Sequence, residues 1–127
     1  MADAIKIATL NLSLGLKNKK EEVKRIIINN DIDILCMQET KMPADFPVEL
    51  LTFKGYNYEN EQNIVKSRCG IYISNKISYV RRTELEAQGI HAIIIDLKDI
   101  NNTRIINIYR SFNPSNNQIK ESTLTHY

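Results

Sequence analysis

The run Ile32-Asp33-Ile34-Leu35-Cys36-Met37 constrains the fold most. It is nearly continuous in apolar residues and too short for a fully buried helix, so it suits a strand covered on both faces of a sheet. Upstream, Ile5 to Leu12 alternates apolar residues with Lys6, Ala8 and Asn11 and reads as a second strand. Between the two, Val23, Ile26 and Ile27 fall on one helical face, while Lys20, Glu21 and Lys24 fall elsewhere. Asn18 precedes Glu21 in the manner of a capping box, and Asn29-Asn30-Asp31 is a plausible stop, which predicts a helix over 19–29. Strand, helix and strand in this order predict two parallel neighbours joined by a right-handed crossover.

Beyond Met37 the pattern changes. Pro43 and Pro47 interrupt a mixed segment that holds at most a short helix around Val48 to Leu51. Strand-like runs then follow at Tyr56 to Tyr58, Gly70 to Ser74, Ile77 to Arg82, His91 to Leu97 and Arg104 to Tyr109. Ser74-Asn75-Lys76 and Asp99-Ile100-Asn101-Asn102 carry hairpin turn chemistry, so an antiparallel meander is expected. Asn113-Pro114-Ser115 breaks the last strand, and a helix is expected from Asn116 to Tyr127. The class is α/β (α+β): a mixed β-sheet with flanking helices, in one domain over 1–127 without repeats or linkers.

Composition narrows the setting more than the activity. With 127 residues, 43% of them hydrophobic, the chain can form one domain with a real core. A net charge of +2 neither demands a nucleic-acid partner nor excludes one. Cys36 and Cys69 sit in apolar strand runs and are expected to be reduced and buried, which points to an intracellular location, nuclear or cytoplasmic. No stretch approaches the roughly eighteen apolar residues of a membrane span, and the first residues lack signal-peptide character.

The residues that could carry chemistry are Asn11, Glu39 and Tyr109, each at the end of an apolar strand, where α/β proteins build their sites. One carboxylate among amide and phenol groups is a sensible half-site for a hard cation such as Mg²⁺, which takes oxygen ligands and keeps several waters. On the residues alone a second reading leads: a glutamate leaving a buried strand often only caps the next turn. Lys17, Lys19, Lys20, Lys24 and Arg25 form a basic cluster that could meet a nucleic-acid backbone but is more often a solvated helix face. Arg81-Arg82 is similarly ambiguous. His91 and His126 lack a neighbouring Asp to hold the imidazole and read as incidental.

The order of motifs adds to this. Thr9-Leu10-Asn11-Leu12-Ser13-Leu14, Leu16-Lys17-Asn18-Lys19, Asp31-Ile32-Asp33-Ile34-Leu35 and Gln38-Glu39-Thr40-Lys41 together resemble the opening of endonuclease domains of non-long-terminal-repeat retrotransposons. More distantly they resemble exonuclease III-like apurinic endonucleases, within the exonuclease/endonuclease/phosphatase superfamily. Cys69-Gly70-Ile71-Tyr72-Ile73 resembles that family's next glycine-led strand, and Asn107-Ile108-Tyr109 followed by Asn113-Pro114 resembles its Asn-x-Tyr strand end. The resemblance implies half of a four-layer α/β/β/α sandwich. It implies Glu39 as a ligand of Mg²⁺, with Mn²⁺ as an alternative, Asn11 beside it as the orienting amide, and Tyr109 lining the site near the scissile phosphate. Gln38 and Thr40 would fix the loop around the ligand, and Arg110 and Asn113 would contact substrate, with DNA as the expected partner.

Relatives also carry a later Gly-Asp-x-Asn segment and a final Ser-Asp-His segment, and neither occurs in these 127 residues. The expectation is therefore an amino-terminal half that is inactive alone. Only one of two sheets is expected, its inner face of Ile5, Ile7, Ile34, Cys36, Ile71, Ile73, Ile93, Ile95, Ile106 and Ile108 partly uncovered. Self-association or a second chain covering that face would follow. The competing reading is a non-catalytic nucleic-acid-binding or assembly module using the exposed sheet face, and a phosphatase acting on a small phosphoester is a third.

Overall fold

The computed structural model describes residues 4–13, 15–43, 45–62, 66–87 and 89–110. Strand β1 (Ile7–Asn11) leads through helix α1 (Lys20–Asn29) to β2 (Ile34–Pro43), and the two strands are parallel neighbours with Asn11 opposite Gln38. A short 3-10 helix at Val48–Leu50 precedes β3 (Tyr56–Asn60) and β4 (Lys66–Ser74), and β4 runs antiparallel to both β2 and β3. The first sheet thus has the order β1-β2-β4-β3. β5 (Tyr79–Arg81), β6 (His91–Leu97) and β7 (Thr103–Tyr109) form a second, antiparallel sheet in that order.

The apolar run at β2 behaves as its composition demands. Leu35 and Met37 point to the helix side, into a core with Val23, Ile27, Ile32, Leu16, Met42, Leu51, Tyr58 and Tyr72. Ile34 and Cys36 point the other way, into a core with Cys69, Ile71, Ile73, Ile93, Ile95 and Leu97. Asp33, the polar residue inside the run, sits where the strand starts, and its carboxylate accepts the Lys6 N–H at 2.8 Å. Three layers result: α1, the first sheet and the second sheet. No described helix is long and apolar enough to cross a membrane.

Four sequence expectations are corrected here. The strands after Ser74 do not extend one meander; they form a second sheet that stacks on the first, so Ile34, Ile71, Ile73, Ile93 and Ile95 are fully buried and Cys36 nearly so. Ser74-Asn75-Lys76 is accordingly not a hairpin turn but the crossing point between sheets, whereas Asp99 to Asn102 does close the β6–β7 hairpin. Ile106 and Ile108 lie on the opposite face of β7 from Asn107, which is buried, and so remain about half exposed at 52% and 46%. Finally, α1 begins at Lys20 with Lys19 as its cap and no side-chain cap bond, so Asn18 and Glu21 form no capping box. The helix expected at Asn116 to Tyr127 lies outside the described residues.

Burial governs the cysteines. Desolvation, with a smaller contribution from Glu61 at Cys69, pushes the Cys36 thiol up to about 11 and the Cys69 thiol to about 12. A thiol whose folded pKa is raised contributes stability below its unfolded value near 8.5 and loses it as pH climbs toward the folded value. Denaturant midpoints should therefore fall between about pH 9 and 11, and a thiol reagent at pH 8 should label the native chain far more slowly than the unfolded one. The face of Gly70 is covered by Tyr58: a Cβ there would stand 1.9 Å from the phenol oxygen. Gly70→Ala should cost roughly 1–3 kcal/mol by overpacking, read from urea unfolding, and an unchanged midpoint would refute the contact.

Candidate functional site

The carboxyl ends of β1 and β2 bring two of the sequence candidates together. Asn11 Nδ2 donates to Glu39 Oε1 at 3.2 Å, and Asn11 Oδ1 accepts the backbone N–H of Ser13 at 3.0 Å. The amide is thus used at both ends, which fixes its orientation, and among the described residues no group bonds the second carboxylate oxygen of Glu39. Glu39 and Lys41 adopt φ of +57° and +52°, and the β2–β4 register slips between Gln38 and Met42. A bulge of this kind re-aims side chains at a strand end, and positive φ in two non-glycine residues has a conformational cost the surroundings must offset. They do so with backbone bonds: Leu12 N–H to Gln38 O at 3.0 Å and Leu16 N–H to Thr40 O at 2.9 Å. Gly15, at φ +94°, allows this loop to run close over Thr40, whose hydroxyl is buried against Ser67 at 3.3 Å.

Gln38 and Asn107 connect this end of the first sheet to the second. Asn107, 3% exposed, donates from Nδ2 to the carbonyls of Met37 and Gly70, both at 3.0 Å, and its Oδ1 accepts from Gln38 Nε2 at 2.9 Å. Gln38 Nε2 also lies 3.0 Å from Thr9 Oγ1. Asn107 therefore sits over the seam between β2 and β4, and Tyr109, two residues on along the same face of β7, lies toward the end of β2 that carries Glu39. Sequence reading took Asn107 as part of a strand-end motif; its inter-sheet role had no local signal.

His91 is not incidental. It is the cross-strand partner of Tyr109, with ring centroids 6.2 Å apart edge to face. Its Nδ1 lies 3.1 Å from Oε1 of Glu61, a buried residue just past β3 that the sequence reading overlooked. The partner is a glutamate thirty positions away in the chain, so no search for a neighbouring Asp could find it.

Arg110 is exposed immediately after β7, and Asn113 and His126 lie outside the described residues. Arg81 is committed to Glu59 at 2.9 Å and Glu86 at 2.6 Å, and Arg82 to Glu84 and Asp96. In the basic cluster, Lys19 and Lys20 donate to the carbonyls of Leu12 and Leu50, and Lys24 lies over the Phe53 ring at 5.6 Å. These contacts tie the helix to the loop before it and to the Leu50–Phe53 segment, so the three lysines serve packing.

Among the described residues no three His, Cys, Asp or Glu side chains gather as a metal cluster. The free oxygen of Glu39 alone suits a hard cation that retains most of its water. The bonded seam has a measurable consequence. Asn107→Ala should destabilise the fold by roughly 2–5 kcal/mol, because it orphans a buried carbonyl pair and the Gln38 amide. Gln38→Ala should cost less, and the double variant should cost less than the two together; additive losses in urea unfolding would disprove the shared network.

The fold has known counterparts. An apurinic endonuclease from Archaeoglobus fulgidus superposes with a TM-score of 0.61 at 23% identity, over 98% of this chain and 51% of that one. A 3′ phosphatase, NExo, from Neisseria, bound to a product DNA hairpin, superposes with a TM-score of 0.60 at 22% identity, over 84% of this chain and 41% of that one. The endonuclease domain of TRAS1, a telomere-specific non-LTR retrotransposon, gives 0.56 at 15% identity, over 98% of this chain and 54% of that one. The chain thus spans about half the length of the structures it matches. No curated protein sequence matches it. The profile of the Endonuclease/Exonuclease/phosphatase family matches residues 8–122, nearly the whole sequence, and the chain belongs to that family.

Proposed function

We propose that this chain is the amino-terminal half of a Mg²⁺-dependent phosphodiesterase domain that nicks DNA, and that it is inactive by itself. The observation that carries the reading is the 3.2 Å bond from Asn11 to Glu39 at adjacent strand ends, held by a bulge with two residues at positive φ. An acidic side chain held by an amide, with one oxygen left over, has the form of a metal ligand with its orienting partner. Glu39 would hold Mg²⁺, or Mn²⁺ in its place, and the ion would supply Lewis-acid polarisation of the phosphoryl oxygens. Asn11 keeps the free carboxylate oxygen pointing outward. Tyr109 donates its phenol hydrogen to a phosphate oxygen, and Arg110 and Asn113 are assigned to the flanking backbone.

DNA is favoured as the substrate because the Neisseria structure is described with a DNA hairpin and other counterparts are an apurinic endonuclease and a retrotransposon endonuclease domain. A second reading, a non-catalytic nucleic-acid-binding or assembly module, draws support from Glu39 standing outside any group of three His, Cys, Asp or Glu side chains among the described residues.

A plasmid-nicking assay separates the two. A version extended through the second half of the domain should nick in Mg²⁺ and stop on chelation, while the 127-residue chain should not nick at all. In the extended protein Glu39→Ala should abolish nicking, and Asn11→Ala should weaken apparent Mg²⁺ affinity on the order of 10–100-fold. Nicking that survives Glu39→Ala, or an extended protein that binds DNA without cutting it, would overturn the catalytic reading.

A further inference from the structure

We infer that His91, held by the buried carboxylate of Glu61, is a phosphate contact for a nucleic-acid strand on the side of the site away from Asn11 and Glu39. The inference rests on the phosphodiesterase reading for its ligand, but on separate residues for its geometry. Glu61 is 3% exposed, and each of its oxygens meets an N–H group or the imidazole. Oε2 accepts the backbone N–H groups of Arg68 and of Cys69, the latter at 2.9 Å, and lies 3.2 Å from His91 Nδ1. Oε1 lies 3.1 Å from the same nitrogen. A carboxylate is an acceptor at both oxygens, so Nδ1 carries the hydrogen and the tautomer is set.

The free end of the ring is what makes this a candidate contact. Nδ1 is committed to Glu61, and among the described residues no group bonds Nε2. The side chain is 27% exposed while that of Glu61 is 2% exposed, so the pair has an inner, fixed end and an outer, accessible one. A buried carboxylate costs several kcal/mol in desolvation unless its partners offset it, and here the partners are two backbone donors and one imidazole. That arrangement holds the start of β4 through two main-chain bonds and orients the ring through the third.

Location supplies the second strand of the argument. His91 pairs with Tyr109 across β6 and β7, and its carbonyl is 3.5 Å from Cys69 Sγ. Cys69 is in turn the cross-strand partner of Gln38, which directly precedes Glu39. The imidazole therefore stands at the same end of the stacked sheets as Asn11 and Glu39, with Tyr109 between. Successive phosphates of a strand lying across that end would meet Glu39 and its ion first, then Tyr109, then His91. In the imidazolium form, with a hydrogen on each ring nitrogen, Nδ1–H stays on Glu61 and Nε2–H donates to a non-bridging phosphate oxygen in a charge-assisted bond. Glu61 acts through His91 and is a positioning residue; His91 touches substrate.

The test is made without metal, so that the Glu39 pocket does not contribute. The full chain is titrated with a short DNA duplex in chelator, while long-range ¹H–¹⁵N spectra follow the imidazole nitrogens and His91→Gln assigns them. In the free chain His91 should show hydrogen on Nδ1, and duplex should shift Nε2 while leaving Nδ1 in place. His91→Ala should weaken duplex binding about tenfold. Glu61→Gln should loosen the Nδ1–H preference and weaken binding by a smaller factor, and it should add no further loss in a folded chain that already carries His91→Gln, because Glu61 acts through His91. Folding of each variant is checked by its amide spectrum, and His91→Gln, which retains polar bulk, stands in if His91→Ala fails to fold. Duplex that binds without moving Nε2, or binds the folded His91 variant as tightly as the parent, overturns the assignment while leaving the phosphodiesterase reading intact. A parent chain that does not bind duplex overturns the assignment as well, while the phosphodiesterase reading is decided separately by nicking with the extended protein.

Discussion

The side chain of Asn107 is the contact on which the rest depends. Two stacked sheets made of isoleucine, cysteine and leucine have strong cohesion but little lateral definition, since apolar contact is non-directional. One amide buried in that interface changes this, because its donors must find acceptors at fixed points. Its bonds to the carbonyls of Met37 and Gly70 place β7 over the seam of β2 and β4, and the bond from Gln38 locks the arrangement from the other side. Sliding β7 by one residue would put Ile106 or Ile108 at that seam and leave the amide in solvent. The positions of Tyr109 and His91 relative to Glu39 follow from this single register.

A second constraint acts within β2 itself. The strand is long enough to be buried core at Ile34 to Met37 and still reach Pro43, but a bulge divides it. Up to Gln38 the pleat serves packing, with alternate side chains feeding two cores. At Glu39 the backbone turns left-handed and the side chain leaves that alternation for the mouth of the loop following β1. Stability and chemistry are thus separated along one strand, and the loop from Leu12 to Leu16 braces the transition through main-chain bonds that any sequence could supply, Gly15 apart.

Much of this was legible in the residues. The parallel β1–β2 pair, the intervening helix and the β6–β7 hairpin follow from periodicity and turn chemistry, and Asn11 and Glu39 were drawn together by their places at strand ends. Three features were not legible, for different reasons. Alternation shows that a strand has two faces, but not which sheet it joins, so Tyr79–Arg81 and the strands after it read as more of the first sheet. Turn residues at Ser74 to Lys76 serve a hairpin and a crossing equally well. The Glu61–His91 pair joins residues brought close only by the stacking of sheets, and the sequence between them carries no trace of it. Local pattern gave the elements; the pairing of distant polar groups required the fold.

The two rims of the sandwich are built differently. On one, β5 lies over β3, and Tyr79 and Arg81 bond the Glu59 carboxylate at 2.6 and 2.9 Å, so that rim is stitched shut by polar groups. On the other, an open groove is lined by Ile7, Thr9, Cys36 and Ile105 and floored by the Gln38–Asn107 bond, and β1 and β7 are outermost described strands of their sheets. Unsatisfied main-chain groups along an outermost strand are a template for further pairing, while a three-residue strand closed by ion pairs offers little to extend. Growth of either sheet is therefore directional. New strands can be added beside β1 and β7 without disturbing the stitched rim, so one rim of the two sheets is closed by polar groups and the other, among the described residues, stays open to pairing.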